Sequence, residues 1–456
     1  MTQFEQYFTQ RREEHLAELK ELLQIPSISA LSDHKHDIRH AAEWIAAALQ
    51  SIGMSKVEVM QTKGNPVVYA EWLGAKDKPT ALIYGHYDVQ PVDPLHLWTT
   101  PPFEPAIRDG KLYARGSSDD KGQTFMHIKA LQAFMQTTGT LPVNVKFCIE
   151  GEEEIGSPHL EEFVETHKEL LQADVLVISD TTMYERGRPA ICYGLRGLCA
   201  LQIDVKAAKG DLHSGIYGGG VPNSIHALVE LLASMHDGNG RVTVEGFYDQ
   251  VKPLTEEERE AFQALGYDDV KAAAELGLQE LFGEAGYSTL ERMWARPTLE
   301  INGIYGGFQG EGTKTVIPSE AHAKITCRLV SEQNPDDILD RLEAHIRKHT
   351  PKGVTINVTR QDKGRPFVTP YDHPLIQAAA RAYEKGYGVT PVFTRMGGSV
   401  PIVETFGRLL HVPVVLMGFG LPDENFHAPD EHFHLENFDK GLLTICHYWE
   451  EISNLK

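Results

Sequence analysis

Apolar residues recur near helical period at Phe4, Tyr7, Phe8, Leu16, Leu19 and Leu23. They predict a first helix that stops before Pro26, because a residue preceding proline is pushed out of the helical region. Ala42, Ile45, Leu49 and Ile52 predict a second helix, with Gly53 as its C-cap. Short β-type runs then alternate with helical ones. Strands are expected at 57–60, 66–72, 80–84, 143–149 and 175–178, with helices over 121–135 and, capped by Ser157, on to Leu171. This alternation predicts an α/β fold: a mixed, mostly parallel sheet flanked by helices on both faces.

From about Gly194 the pattern changes to a longer polar/apolar alternation through Leu198, Ala200 and Gln202 to Val205. A helix over 223–235 follows, then a charged, helix-rich stretch, strands at 299–304 and 321–329, a helix over 335–349 and a strand at 354–359. Without the charged stretch the order is β-α-β-β-α-β, that of a ferredoxin-like α+β domain. The earlier pattern resumes with a helix over 373–387, strands at 391–395 and 412–417, and an amphipathic helix over 435–452. The expected organisation is a discontinuous catalytic, metal-binding domain (1–193 and 367–456) interrupted by a smaller domain (194–366) with a helical insertion at 237–296. A chain of 456 residues exceeds what one core usually organises, which agrees with this division.

Charge narrows the class of partner. With 43 Lys+Arg against 64 Asp+Glu, the net charge is −21, and no basic block offsets it. Nucleic acid and anionic membranes need local positive charge, so neither is expected as a partner. The apolar stretches, such as 412–420, fall short of the roughly 20 residues a membrane helix needs. The opening MTQFEQYFTQRREEHL has no apolar run or cleavage signal. The five cysteines form no close metal pair and no even disulfide framework, which fits a reducing, cytoplasmic setting. The 21 histidines beside an acidic excess matter more, because imidazole and carboxylate are the usual ligands of catalytic zinc and manganese.

Placement decides whether those residues are ligands. ALIYGHYDVQP ends an apolar strand in His86 and Asp88, and ARGSSDDKG places Asp119 and Asp120 in a Gly/Ser loop opening a helix, one of them expected as its N-cap. EGEEEIGS puts Glu152, Glu153 and Glu154 just past a buried strand, where three like charges are costly without a cation. Asp180 ends VLVIS, and NFHAPDEH carries His427 before the last helix. Each cluster alone has an ordinary explanation as a turn, a cap or a solvated acidic loop. Together they bring His, Asp, Glu, Asp and His from five loops bordering one sheet, and open α/β sheets bind ligands at the C-terminal ends of strands. Such a set suits two divalent ions about 3.5–4 Å apart with a bridging carboxylate, and a further Glu beside a ligand as general base.

The order GHYDVQP, GSSDDKG, EGEEEIGS, ISDT and HAPDE resembles the di-zinc exopeptidase family of carnosine and cysteinylglycine dipeptidases, aminoacylases, acetylornithine deacetylase and succinyl-diaminopimelate desuccinylase. The resemblance covers essentially the whole chain and is strongest to the carnosinase-like branch. It implies that His86 and Asp180 bind one metal, Glu154 and His427 the other, and Asp119 bridges them. Asp88 would orient His86, and Glu153 would be the base. The ions implied are two per subunit, zinc first, with manganese or cobalt as alternatives.

The resemblance also implies that the inserted domain is a lid through which the chain forms a homodimer. His213 in DLHSG would reach the partner subunit's site and stabilise the oxyanion. Thr315, Arg328, Gly398 and Ser399 would bind substrate, with Arg328 holding its terminal carboxylate. The implied activity is hydrolysis of the amide bond of short peptides with a free C-terminal carboxylate, through a metal-bridging water. An N-acyl amino-acid deacylase or desuccinylase uses the same chemistry and is the alternative; an inactive dimeric scaffold is the reading from a different class. The long insertion and the Thr315/Arg328 spacing favour the dipeptidase.

Overall fold

The computed structural model describes residues 2–398 and 401–455. The chain divides into two compact units, one of residues 1–193, 369–394 and 405–456, the other of residues 194–368 and 395–404.

In the first unit, strands Thr80–His86, Asn144–Glu150, Val175–Ile178 and Val414–Leu416 run parallel at the centre of a sheet. Lys56–Met60 and Val67–Trp72 extend one side antiparallel, and Ala190–Leu195 joins Val414–Leu416 antiparallel on the other. The sheet is therefore mixed with a parallel core, as the alternation predicts. Val175–Ile178 is buried along its whole length, as a parallel strand covered on both faces must be. Helices Gln3–Leu23, Lys35–Ile52, Lys121–Thr137, Pro374–Tyr387 and Leu435–Ser453 pack one continuous apolar core around it. Gly53 closes the second helix in the left-handed conformation (φ 100°), the C-cap its position predicts.

Two local expectations fail. Ser157 does not cap a helix: its φ is 50°, its hydroxyl donates to Glu150 Oε1 at 2.8 Å, and the helix begins later, at Leu160. A small antiparallel sheet of Ala106–Arg108, Lys111–Tyr113 and His432–His434, and a helix Pro401–Leu410, lie where the apolar pattern predicts neither.

The second unit holds a four-stranded antiparallel sheet in the spatial order Thr298–Gly306, Glu320–Leu329, Gly197–Lys206, Thr355–Gly364. Helices Ser224–Ala233 and Pro335–His349 cover one face and share a core with it. This is the ferredoxin-like arrangement. The stretch between the first helix and Thr298 contributes the short helices Glu256–Gln263, Asp269–Glu275 and Thr289–Ala295, two of them opened by capping boxes at Thr255 and Ser288.

Candidate metal centre

The parallel strands deliver side chains to one end of the sheet. Thr80–His86 ends in buried His86, Val175–Ile178 is followed by Asp180, and Asn144–Glu150 leads into a short 3-10 turn, Glu153–Ile155. Asp119 comes from the loop before helix Lys121–Thr137, and His427 from the loop before His432–His434.

Asp119 sits between the two imidazoles. Its Oδ1 lies 3.1 Å from His86 Nε2 and its Oδ2 2.9 Å from His427 Nε2. On the far side, His427 Nε2 is 3.1 Å from Glu154 Oε2, and His86 Nε2 is 3.8 Å from Asp180 Oδ2. Two groups of donors result, His86/Asp119/Asp180 and Asp119/Glu154/His427, each with its atoms within 4.8 Å of one another. They share Asp119, the geometry of a bridging carboxylate. Each group offers one imidazole nitrogen and carboxylate oxygens, a set suited to a borderline divalent ion, so the residues fit the implied metals.

The electrostatics agree. Burial, reinforced by Asp180, Glu154 and Asp119 and opposed by His86, pushes the Glu153 carboxyl up to about 9. Burial and the neighbouring Asp119 push Asp180 up to about 7. Hydrogen bonds to Asp119 and Glu154 raise His427 to about 10. Burial opposes the charged form of His86, but Asp119 and Asp88 outweigh it and hold the ring well above the ordinary range. The cluster has more carboxylates than it can keep ionised, and its imidazoles hold protons where a cation would otherwise balance the charge.

Asp88 has two tasks. Its Oδ1 is 3.4 Å from His86 Nδ1, and its carboxylate also accepts the backbone N–H groups of Glu153 (3.2 Å) and Glu154 (3.1 Å). One buried aspartate thus fixes both a histidine and the turn carrying the two glutamates. Asp120 stands at the N-cap position without accepting a helix N–H; its Oδ2 takes the Thr124 hydroxyl at 2.7 Å and the His86 N–H at 3.3 Å instead.

Several supporting residues are not evident from the sequence. Gln90 Nε2 donates to Glu154 Oε2 at 2.8 Å. Glu431 and Glu424, both buried, accept donors from the Asp119 loop. Glu431 lies inside HAPDE, so its nearness to a ligand in the chain was the one available signal.

The remaining candidates lie in the second unit. His213 closes a two-stranded ladder of Leu212–His213 with Val316–Ile317, and the Ser214 N–H donates to the Thr315 carbonyl at 3.1 Å, so His213 and Thr315 are neighbours. His213 Nδ1 accepts the Gly215 N–H at 3.0 Å. The ring proton of the neutral form is therefore on Nε2, leaving an N–H donor on an exposed imidazole.

Arg328 projects from Glu320–Leu329 into a cavity of about 780 Å³ whose walls include Arg196, Arg296, Met293 and Glu300. Arg196 donates to the Gly397 carbonyl at 3.0 Å, which ties the loop containing Gly398 to this unit. Ser399 lies outside the described residues. Arg196, Arg292, Arg296 and Arg328 line this cavity beside Asp237, Glu284 and Glu300, so it offers guanidinium donors among carboxylates.

Residues 82–451 match the profile of Peptidase family M20/M25/M40. The chain belongs to this family. It is 32% identical to the Cys-Gly metallodipeptidase dug1 of Schizosaccharomyces pombe, covering 98% of this chain and 97% of that protein. Among solved structures it resembles the M20 family metallo-carboxypeptidase Sso-CP2 from Sulfolobus solfataricus (TM-score 0.82, 33% identity, 97% of this chain and 100% of that one). It also resembles human carnosine dipeptidase 1 (TM-score 0.77, 33% identity, 99% and 98%). These likenesses agree with the mixed α/β architecture and with a metal-dependent hydrolase acting on peptide bonds.

Proposed function

We propose that this M20 chain is a dipeptidase that binds two divalent ions and hydrolyses the amide bond of short peptides with a free C-terminal carboxylate. The observation that carries this reading is Asp119, whose two oxygens face His86 and His427 from opposite sides. His86 and Asp180 would hold one ion, Glu154 and His427 the other. The balance of nitrogen and oxygen donors supports zinc, with manganese and cobalt as alternatives. When bound, the ions supply Lewis-acid polarisation of the scissile carbonyl and lower the pKa of the attacking water.

The chain's own residues do the rest. Glu153 takes the proton of the attacking water and returns it to the leaving amine. Asp88 fixes the Glu153 and Glu154 backbone, so base and ligand keep a constant offset. His213 donates its Nε2–H to the oxyanion of the partner subunit's substrate. Arg328 takes the substrate's terminal carboxylate as a two-pronged donor, with Thr315 and Gly398 lining the substrate.

Dimerisation through the second unit is supported by its surface. Thr298–Gly306 is an edge strand with Ile301, Ile304 and Tyr305 exposed, and Ile216 and Tyr217 are exposed beside His213. All five cysteines are buried, which supports a reducing, cytoplasmic setting; among the described residues no helix is long and apolar enough to cross a membrane.

A panel of dipeptides, the same dipeptides amidated at the C-terminus, and N-acetyl and N-succinyl amino acids tests the reading. Hydrolysis of the free dipeptides alone is expected. Preference for the N-acyl amino acids would replace the dipeptidase with a deacylase, and inertness towards every amide would favour the scaffold.

A further inference from the structure

We infer that Glu431 is a positioning residue for the His427 side of the metal centre, its buried carboxylate fastening the loop that carries His427 to the loop that carries Asp119. The inference rests on the di-metal reading above.

Glu431 is fully buried, and both of its oxygens are used. Oε2 accepts from Arg115 Nη1 at 2.7 Å and from the Gly116 N–H at 3.0 Å; Oε1 accepts the N–H groups of Ser118 at 3.0 Å and Asp119 at 3.1 Å. The last of these is the backbone of the bridging ligand itself. The other end of the His427 loop is held in the same way. Glu424, also buried, accepts from the Ser118 hydroxyl at 2.5 Å and from the backbone N–H and Nδ1 of His434 at 2.9 and 2.7 Å.

Between these anchors Asn425, His427 and Asp430 all have φ near +57°, a left-handed conformation that strains residues with side chains. The His427 side chain is 55% exposed, so packing around the ring does not hold it. The anchors at 424 and 431 hold its backbone, together with Asp430, which accepts the Thr99 N–H at 2.8 Å and the Thr99 hydroxyl at 2.6 Å. His86 and Asp180 are set by strand ends instead, so they do not depend on this clamp. Loss of the Glu431 charge should therefore loosen most the ion of Asp119, Glu154 and His427, which loses both the His427 loop and the hold on Asp119, and less the other, which shares only Asp119 with it.

The test uses the full chain loaded with zinc. Glu431→Gln keeps the shape but turns one acceptor oxygen into a donor amide facing donors. Competition with a chelator is expected to release one of two zinc ions roughly 10–100-fold more readily than in the unaltered chain, with the second loosened clearly less. Dipeptide hydrolysis should return when free zinc is raised, a rescue that a misfolded centre would not show. Unchanged release of both ions overturns the inference, as does equal loosening of both, or lost turnover with both ions retained. If Glu431→Gln does not fold, Arg115→Lys, which removes the guanidinium donor to Glu431 and keeps the charge, must loosen the same ion most; failure to do so is equally fatal. An unaltered chain that binds fewer than two ions would instead sink the di-metal reading.

Discussion

The two units hold their candidate residues in opposite ways. In the first, His86, Asp88 and Asp119 are buried, and each carboxylate is tied to backbone or to a histidine. In the second, His213 and Thr315 are exposed on a turn, and Arg328 lines an open cavity. A metal centre needs donors fixed before the ion arrives, whereas groups that receive a substrate or a partner's site must remain accessible. The same difference sets pKa values. Glu153 and Asp180 are pushed far from their ordinary range because burial and like charge act together.

The sharpest way to break this comparison is to remove the base. Glu153→Ala should lower kcat roughly 10²–10⁴-fold while both ions stay bound, which parallel turnover and metal assays would check. Normal turnover would remove Glu153 from the mechanism. His213→Ala, in the other unit, should lower kcat roughly 10²–10³-fold, again with full metal content. Mixing it with Glu153→Ala should restore activity, because a mixed dimer would have one site with an intact base served by the partner subunit's intact His213. Absence of restoration in a mixture that exchanges subunits would place the donor elsewhere. Arg328→Ala should act chiefly on KM, with kcat/KM about 10- to 100-fold lower and little change for C-terminally amidated peptides. An equal loss on both substrate types would contradict the carboxylate assignment.

The smallest effect concerns stability. Glu153 and Asp180 have folded-state pKa values raised above their unfolded ones, so the metal-free fold favours their protonated forms. That contribution is complete below the ordinary carboxylate range. It is lost as pH rises, through about 7 for Asp180 and about 9 for Glu153. His427, raised to about 10, contributes in the same direction above its ordinary range. The melting temperature of metal-free protein should therefore fall from pH 5 to pH 9, and zinc should remove most of the slope. A metal-free melting temperature that rises over that interval would contradict the charge balance described.

Much of the metal centre is legible in the sequence because strand ends are. Thr80–His86 and Val175–Ile178 are apolar runs that stop at a potential ligand, and a parallel sheet aligns such stops at one edge. The residues that hold the ligands are less legible. Glu424 and Glu431 reach loop 115–119 across some 310 positions, and no local pattern encodes that pairing. Ser157 misleads for a different reason: it reads as a cap, but Glu150, seven residues earlier, takes its hydroxyl. Helix Pro401–Leu410 follows a glycine pair, and the short strands Ala106–Arg108 and Lys111–Tyr113 depend on His432–His434 to form a sheet.

The most direct test of the central claim is a zinc titration of metal-stripped protein with dipeptide hydrolysis as the readout. The account predicts no turnover without metal and full recovery at two equivalents per chain. Turnover by the stripped protein, or full recovery at one equivalent with no second ion bound, would contradict it.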